Sequence, residues 1–554
     1  MFTLHDTEVD GVRCFWVETG RPTLAAQLVF RQGMADEPLT ESGWLHMLEH
    51  LALHGRGGGA LGVNGSVAVL HTAFDAHGPA DGVVEHLAGV TAWLADPVFH
   101  EFERERGVLR AESATRGGTG ARAFGWRYGA QGPGVVSHEE PGMGRATPES
   151  LTARSRRVFN RRNGALVLDG PPPAGLRLHL PDGEYLRPPA AVPCEDNLPA
   201  AYVENGGLTL SGVVARSATA TLAHEVLQRA LRERLRDHAG AAYAPWATYE
   251  PVDQEQALIL GGSDVLDDLL PSLVDNLLEL IGRIKSQPVP AEWIAEIVEA
   301  REQALRDPYS AASLAGRAAH LVLQERPPQT HEEVLEELLA TDAGGVQETL
   351  TEFCDSLLLG VPGPSAWRDQ LPMITFPEGP PRRSGQVFRN RNWPASATRL
   401  AVGDGRLELS ADGAARSIEV ERAAGLFVFE DGTRHLIDED GWGLTVDPLE
   451  WQGGTTAVAA LDALVPETLH LPQPARPSSY RPLPAWKRWW LGLRRLLSGD
   501  AALIAWTVLL AALVVVGVVK AAPLVIGGAG FALYATVKEL RAKRAARRAT
   551  TAGP

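Results

Sequence analysis

In the stretch GWLHMLEHLALHG, His46, Glu49 and His50 occupy positions i, i+3 and i+4 of a run free of proline and rich in helix formers. On a helix, residues four apart are surface neighbours, so His46 and His50 point the same way and Glu49 lies beside them. Two imidazoles so placed can hold Zn²⁺ through neutral nitrogens, and the neighbouring carboxylate can take a proton from water. The order is the inverse of the commoner HExxH helix. A random chain of this composition would contain such a pattern about 0.05 times, so the match carries information. A catalytic zinc takes three protein ligands and leaves one position open. The stretch ERERGVLRAES supplies Glu105 and Glu112, seven residues and therefore two helical turns apart. Glu112 can be the third ligand, with Glu105 behind it orienting a ligand or water. The alternative is that both are surface carboxylates paired with Arg106 and Arg110.

The elements that must position these residues follow from hydrophobic periodicity. Alternating apolar positions at 12–17 and 25–30 predict strands, and 3.6-residue periodicity predicts helices at 43–54, 83–94 and 98–114. A Pro-rich connector at 170–193 closes a first lobe, residues 1–185. The pattern then restarts, with strands near 208–214 and 257–261, a helix near 219–238 and further helices to about 360, giving a second lobe at 196–368. Repetition of the same order in pieces of similar length points to internal duplication within an α+β chain. After a Pro-rich basic stretch at 374–385, strand signals at 406–410, 416–421, 425–430 and 443–447 alternate with Asp-Gly turns at 412–413, 431–432 and 440–441. Together with a short helix within 451–466, they predict a small antiparallel β domain at 395–470, patterned like a pleckstrin-homology barrel.

Composition bounds the partners. With 52 Lys and Arg against 68 Asp and Glu, the net charge of -16 argues against a nucleic-acid-binding protein. Cys14, Cys194 and Cys354 are far apart and form no CxxC, so neither a disulfide framework nor a thiolate metal site is expected. The N-terminus shows no basic segment followed by an apolar run, hence no secretory signal is read. Two apolar runs, 501–519 and 521–537, are divided by Lys520 and Pro523 and flanked by a basic aromatic segment at 482–499 and a basic tail at 538–554. Each run is near the lower limit for spanning a hydrocarbon core of ~30 Å, and basic flanks favour the cytoplasmic side. The expectation is a transmembrane helical hairpin, with Trp486, Trp489 and Trp490 at the interface. It would make the chain a multi-pass protein of the cytoplasmic membrane, held in the lipid bilayer, with both termini and the lobes facing the cytoplasm. The alternative is a buried helical hairpin in a soluble domain.

HMLEH followed by ERGVLRAE, and preceded by a strand and LVFRQGMADEPLTESG, resembles the pitrilysin and insulinase family of inverzincin metallopeptidases, mitochondrial processing peptidases included. The resemblance covers roughly residues 1–365 and implies two related α/β-sandwich lobes of the pitrilysin type. It implies zinc as cofactor, with His46, His50 and Glu112 as ligands, Glu49 as general base and Glu105 as the assisting acid. From the second lobe, RERLRDHAGAAY supplies Arg236 and Tyr243, seven apart, which by resemblance meet the substrate and its developing oxyanion. Asn64 matches an asparagine the family uses near its substrate-binding edge strand. Two departures stand out. The interval between His50 and Glu112 is shorter than usual, trimmed after HGRGGG so that a helix is shortened or lost, and the C-terminal extension lies outside the family pattern. The implied activity is that of a zinc metalloendopeptidase cutting peptides or unfolded segments at a membrane-tethered, two-lobed site. Non-catalytic relatives leave the alternative of a silent, membrane-associated peptide-binding or scaffold subunit. The family's habit of enclosing a chamber implies a homodimer or a heterodimer with a related chain.

Overall fold

The computed structural model describes residues 2–113, 119–204, 207–238, 244–263, 270–307, 310–362, 371–391 and 397–475. In the first lobe, β1 (His5–Val9), β2 (Val12–Trp16), β3 (Leu24–Phe30), β4 (Gly62–Val67), β5 (Thr72–Gly78) and β6 (Gly164–Leu168) form one sheet in the order β1-β2-β6-β3-β5-β4. Only β2 and β6 pair in parallel, which the long return through five helices permits. Those helices are α1 (Trp44–Leu53), α2 (Ala80–Ala95), α3 (Phe102–Ser113), α4 (Thr119–Tyr128) and α5 (Pro148–Val158). The trimmed segment after HGRGGG contains no helix; it is the β4–β5 hairpin, with β4 as the sheet edge.

The second lobe repeats this plan. It contains β7 (Ala200–Glu204), β8 (Leu208–Ala215), α6 (Ala218–Leu231), β9 (Trp246–Pro251), β10 (Gln256–Ser263), α7 (Leu270–Ser286), α8 (Ala291–Arg306), α9 (Ala312–Val322), α10 (His331–Leu339), α11 (Ala343–Asp355) and β11 (Leu358–Pro362). The order β7-β11-β8-β10-β9, with β7 and β11 parallel, matches β2-β6-β3-β5-β4 strand for strand. In this correspondence α6, which follows the second strand of its lobe as α1 follows β3, is the counterpart of the helix that carries His46 and His50.

Each face of the first sheet is buried differently. One face packs Leu28, Phe30 and Phe74 against Leu45, Leu48 and Leu87 of the lobe's own helices. The other carries Phe15, Val29 and Val167, and is covered by Leu314, Ala315, Ala318 and Ala319 of α9 from the second lobe. Alanines on that helix face let it approach the pleated surface closely.

The third unit holds β12 (Gln386–Arg389), β13 (Arg399–Gly403), β14 (Arg406–Ala411) and β15 (Ala414–Glu419) in one meander. Its second sheet, ordered β18-β17-β16-β19, contains β16 (Ala423–Phe429), β17 (Arg434–Asp438), β18 (Gly443–Val446) and β19 (His470–Gln473). Helix α12 (Gly454–Leu464) precedes β19, which returns parallel to β16, so this unit is not wholly antiparallel.

The expected membrane hairpin at 501–537, with its flanks, lies outside the described residues. Among the described residues no helix is long and apolar enough to cross a membrane, and the multi-pass placement is corrected accordingly. The physical requirement is about 20 apolar residues in one helix. The longest described helix, α7, has 17 residues and is amphipathic, ending in Arg283 and Lys285.

Ala318 is fully buried where the lobes meet. Ala318→Leu should overpack that contact, lowering the urea midpoint by the equivalent of about 1–3 kcal/mol. An unchanged midpoint would show that α9 does not pack tightly on the sheet.

Candidate metal centre

Helix α1 starts at Gly43, whose left-handed φ of 87° suits a residue without a side chain. Its first N–H groups therefore need an outside acceptor. Glu37 supplies it, its carboxylate accepting from the backbone N–H of Gly43 at 2.9 Å and of Leu45 at 2.8 Å. Burial pushes the Glu37 carboxyl up to about 8, against the lowering effects of Arg154 and these two N–H donors.

His46 and Glu49 are buried on α1, while His50 is partly open. The imidazole rings stand edge to face, 4.7 Å between centroids. His46, Glu49 and His50 bring one potential ligand atom each within 4.8 Å of one another. Glu112 reaches over from α3: its Oε2 lies 3.8 Å from His46 Nε2 and 3.4 Å from His50 Nε2. Ligand atoms held ~2.0–2.2 Å from a tetrahedral ion sit roughly 3.4 Å apart, and the two distances from Glu112 Oε2 are close to that. The shortened interval between His50 and Glu112 does not keep that carboxylate away.

The outer nitrogens of both rings are engaged. His46 Nδ1 donates to Glu140 Oε1 at 2.9 Å, and His50 Nδ1 donates to Glu105 Oε2 at 3.3 Å. A carboxylate accepts and does not donate, so a ring that is neutral carries its proton on Nδ1, which leaves Nε2 on the side of Glu112. Glu105 also accepts from His54 Nδ1 at 2.9 Å. It is thus buried against two imidazoles, and Arg106 pairs instead with Glu103. The reading of Glu105 as a surface carboxylate paired with its neighbouring arginines is excluded by that placement.

Glu49 Oε2 lies 3.9 Å from His46 Nε2 and 3.8 Å from His50 Nε2. Its other oxygen rests on β4: a Cβ added at Gly65 would come within 2.0 Å of Glu49 Oε1. Asn64, the neighbouring residue, is exposed on that strand. In the second lobe, Arg236 is exposed on the π-helical turn Arg232–His238, and Tyr243 lies outside the described residues. The opposing pair therefore adds nothing to the described geometry of the centre.

Sequence reasoning missed Glu140 and His54. His54 continues the i, i+4 series of His46 and His50, a signal present in the sequence. Glu140 comes from a turn 94 residues beyond His46 and has no such local signal.

No family model and no curated protein matches the sequence. Solved structures do match. A protease from Helicobacter pylori aligns with a TM-score of 0.53 at 14% identity, over 66% of this chain and 100% of that one. The peptidase M16 inactive domain from Pseudomonas fluorescens gives 0.52 at 11% identity, over 67% and 100%. The first half of the periplasmic protease PqqL from Escherichia coli gives 0.50 at 15% identity, over 66% and 92%. This chain has the pitrilysin/insulinase-like fold of the M16 peptidases. Since one of these neighbours is an inactive domain, the shared fold alone does not carry an activity.

Glu37 yields a pH test. Its carboxyl ionises near 4.5 in an ordinary setting and near 8 in the fold, so between those values the folded state holds a proton the unfolded state lacks. Stability from this group is therefore full below pH 4.5 and is lost as pH rises through about 8. In urea unfolding, wild type should lose a few kcal/mol relative to Glu37→Gln over that span, on the order of 1.4 kcal/mol for each pH unit crossed. Parallel pH profiles would contradict it.

Proposed function

We propose that this chain is a zinc-dependent endopeptidase acting on peptides or unfolded segments. The observation that carries this reading is the convergence of His46 Nε2, His50 Nε2 and Glu112 Oε2, with each histidine braced from behind by a carboxylate. These three residues would hold the metal. Zinc bound there supplies Lewis-acid polarisation of the scissile carbonyl and lowers the pKa of a water molecule.

The remaining steps belong to side chains. Glu49, beside both Nε2 atoms, takes the proton of the attacking water and passes it to the leaving amine. Glu105 keeps His50 in one tautomer and orientation. Glu112 is 36% exposed, so the centre is open on the side from which substrate must come. The free edge of β4 can accept an extended peptide as an added strand, which would run past Asn64 and bring a carbonyl to Glu49 next to Gly65. Arg236 and Tyr243 would approach from the second lobe to stabilise the oxyanion, as the family resemblance implies.

The test measures zinc content and turnover of quenched peptides together. Glu49→Gln should keep stoichiometric zinc and lose activity by at least about 10²-fold, as expected for removal of a proton-transfer group. Glu112→Ala should lose zinc. Gly65→Ala should leave fold and zinc intact while displacing the Glu49 carboxylate, so its turnover falls as in Glu49→Gln. Undiminished cleavage by Glu49→Gln, or full zinc in Glu112→Ala, would overturn the assignment of that residue.

A further inference from the structure

Resting on the metal-centre reading, we infer that the C-terminal β unit is part of that centre: β19 fixes the turn that carries Glu140, and through Glu140 it sets the metal affinity of His46. The turn is the 3-10 segment Pro141–Arg145, and Glu140 precedes it in a left-handed conformation, φ 48°, unusual for a residue with a side chain. Such a backbone persists only where its surroundings hold it.

They hold it from two sides. Toward α1, Trp44 Nε1 donates to Gly142 O at 3.0 Å, Gly142 N–H donates to Ser42 Oγ at 3.1 Å, and a Cβ at Gly43 would come within 2.8 Å of Glu140 Cβ. Toward the β unit, one nitrogen of Arg145 donates to three backbone carbonyls, Glu467 at 3.0 Å, Thr468 at 2.6 Å and His470 at 3.0 Å. Gln473 Nε2 donates to Pro141 O at 3.2 Å, and a Cβ at Gly144 would come within 2.3 Å of Pro472 O. The turn is therefore clamped between the metal-bearing helix and a strand more than 320 residues away in sequence. Its first residue sends one carboxylate oxygen to His46 Nδ1 and receives Ser113 Oγ, from the end of the helix bearing Glu112, on the other at 3.1 Å.

Arg145 and Gln473 are thus positioning residues, acting on the metal through Glu140. Partners behind a metal ligand typically contribute 10–100-fold in affinity. The experiment uses the full chain and reads the zinc dissociation constant by competition with a chromophoric chelator, plus the visible spectrum of the Co²⁺-substituted protein, which reports ligand arrangement. Glu140→Gly, which suits the left-handed backbone and removes only the side chain, should weaken zinc about 10–100-fold. Glu140→Gln, which retains an acceptor oxygen for His46, should restore most of that loss. Arg145→Ala should weaken zinc about tenfold and shift the Co²⁺ spectrum in the wild-type background, yet add nothing in the Glu140→Gly background. Gln473→Ala gives the same readout with a smaller change, should Arg145→Ala fail to fold. Wild-type zinc affinity in both Arg145→Ala and Gln473→Ala, or equal losses with and without Glu140, overturns the inference while leaving the metal centre standing. A wild-type chain that binds no zinc overturns both.

Discussion

The structure around α1 is organised by one constraint: two imidazoles on adjacent turns must aim the same nitrogen at the same point. An imidazole can rotate, and it can carry its proton on either nitrogen. Both freedoms are removed here by occupying Nδ1 from outside, Glu140 for His46 and Glu105 for His50. The Glu37 cap fixes where α1 begins, and Gly65 leaves the gap that Glu49 occupies beside β4. Each of these supports acts on where an α1 side chain points, not on whether the two histidines share a helix face.

The arrangement is electrostatically one-sided. Glu49, Glu105, Glu112 and Glu140 all lie within reach of the two rings, and three of them are largely sequestered from water. Burying so many acidic groups beside imidazoles is costly unless positive charge joins them. A divalent cation at the point where the Nε2 atoms face Glu112 would meet that need.

The two lobes share a strand order but not the side chains it carries. Both run a helix from the strand corresponding to β3 and return through several helices to a parallel pair. Only α1 bears the paired histidines; α6 has His224 alone. The second lobe instead contributes α9, whose alanine face closes the back of the first sheet, so the surface opposite α1 is held by the other half of the duplication. The β unit supports the centre from a third direction, through the turn that bears Glu140.

The sequence by itself determined the local part of this protein. His46, Glu49 and His50 lie on one helix face because 3.6-residue geometry acts over neighbouring turns, and the same holds for Glu105 and Glu112 on α3. Strands with an apolar face against the core, such as β3 and β14, were legible for the same reason. What depends on distant contacts was not. β19 is only four residues and finds its place by pairing with β16 across an intervening helix. The apolar runs near the C-terminus were read from hydropathy and length alone, and membrane placement drawn from them did not survive comparison with the described helices. Whether Glu112 reaches the histidines, and that Glu140 braces one of them, only tertiary structure decided: α3 packing beside α1 brings the first, and a clamped turn 94 residues from His46 supplies the second. Local geometry can align side chains along one helix, but bringing Glu112 and the carboxylates behind the rings to the same point takes packing between elements that the chain order alone does not specify.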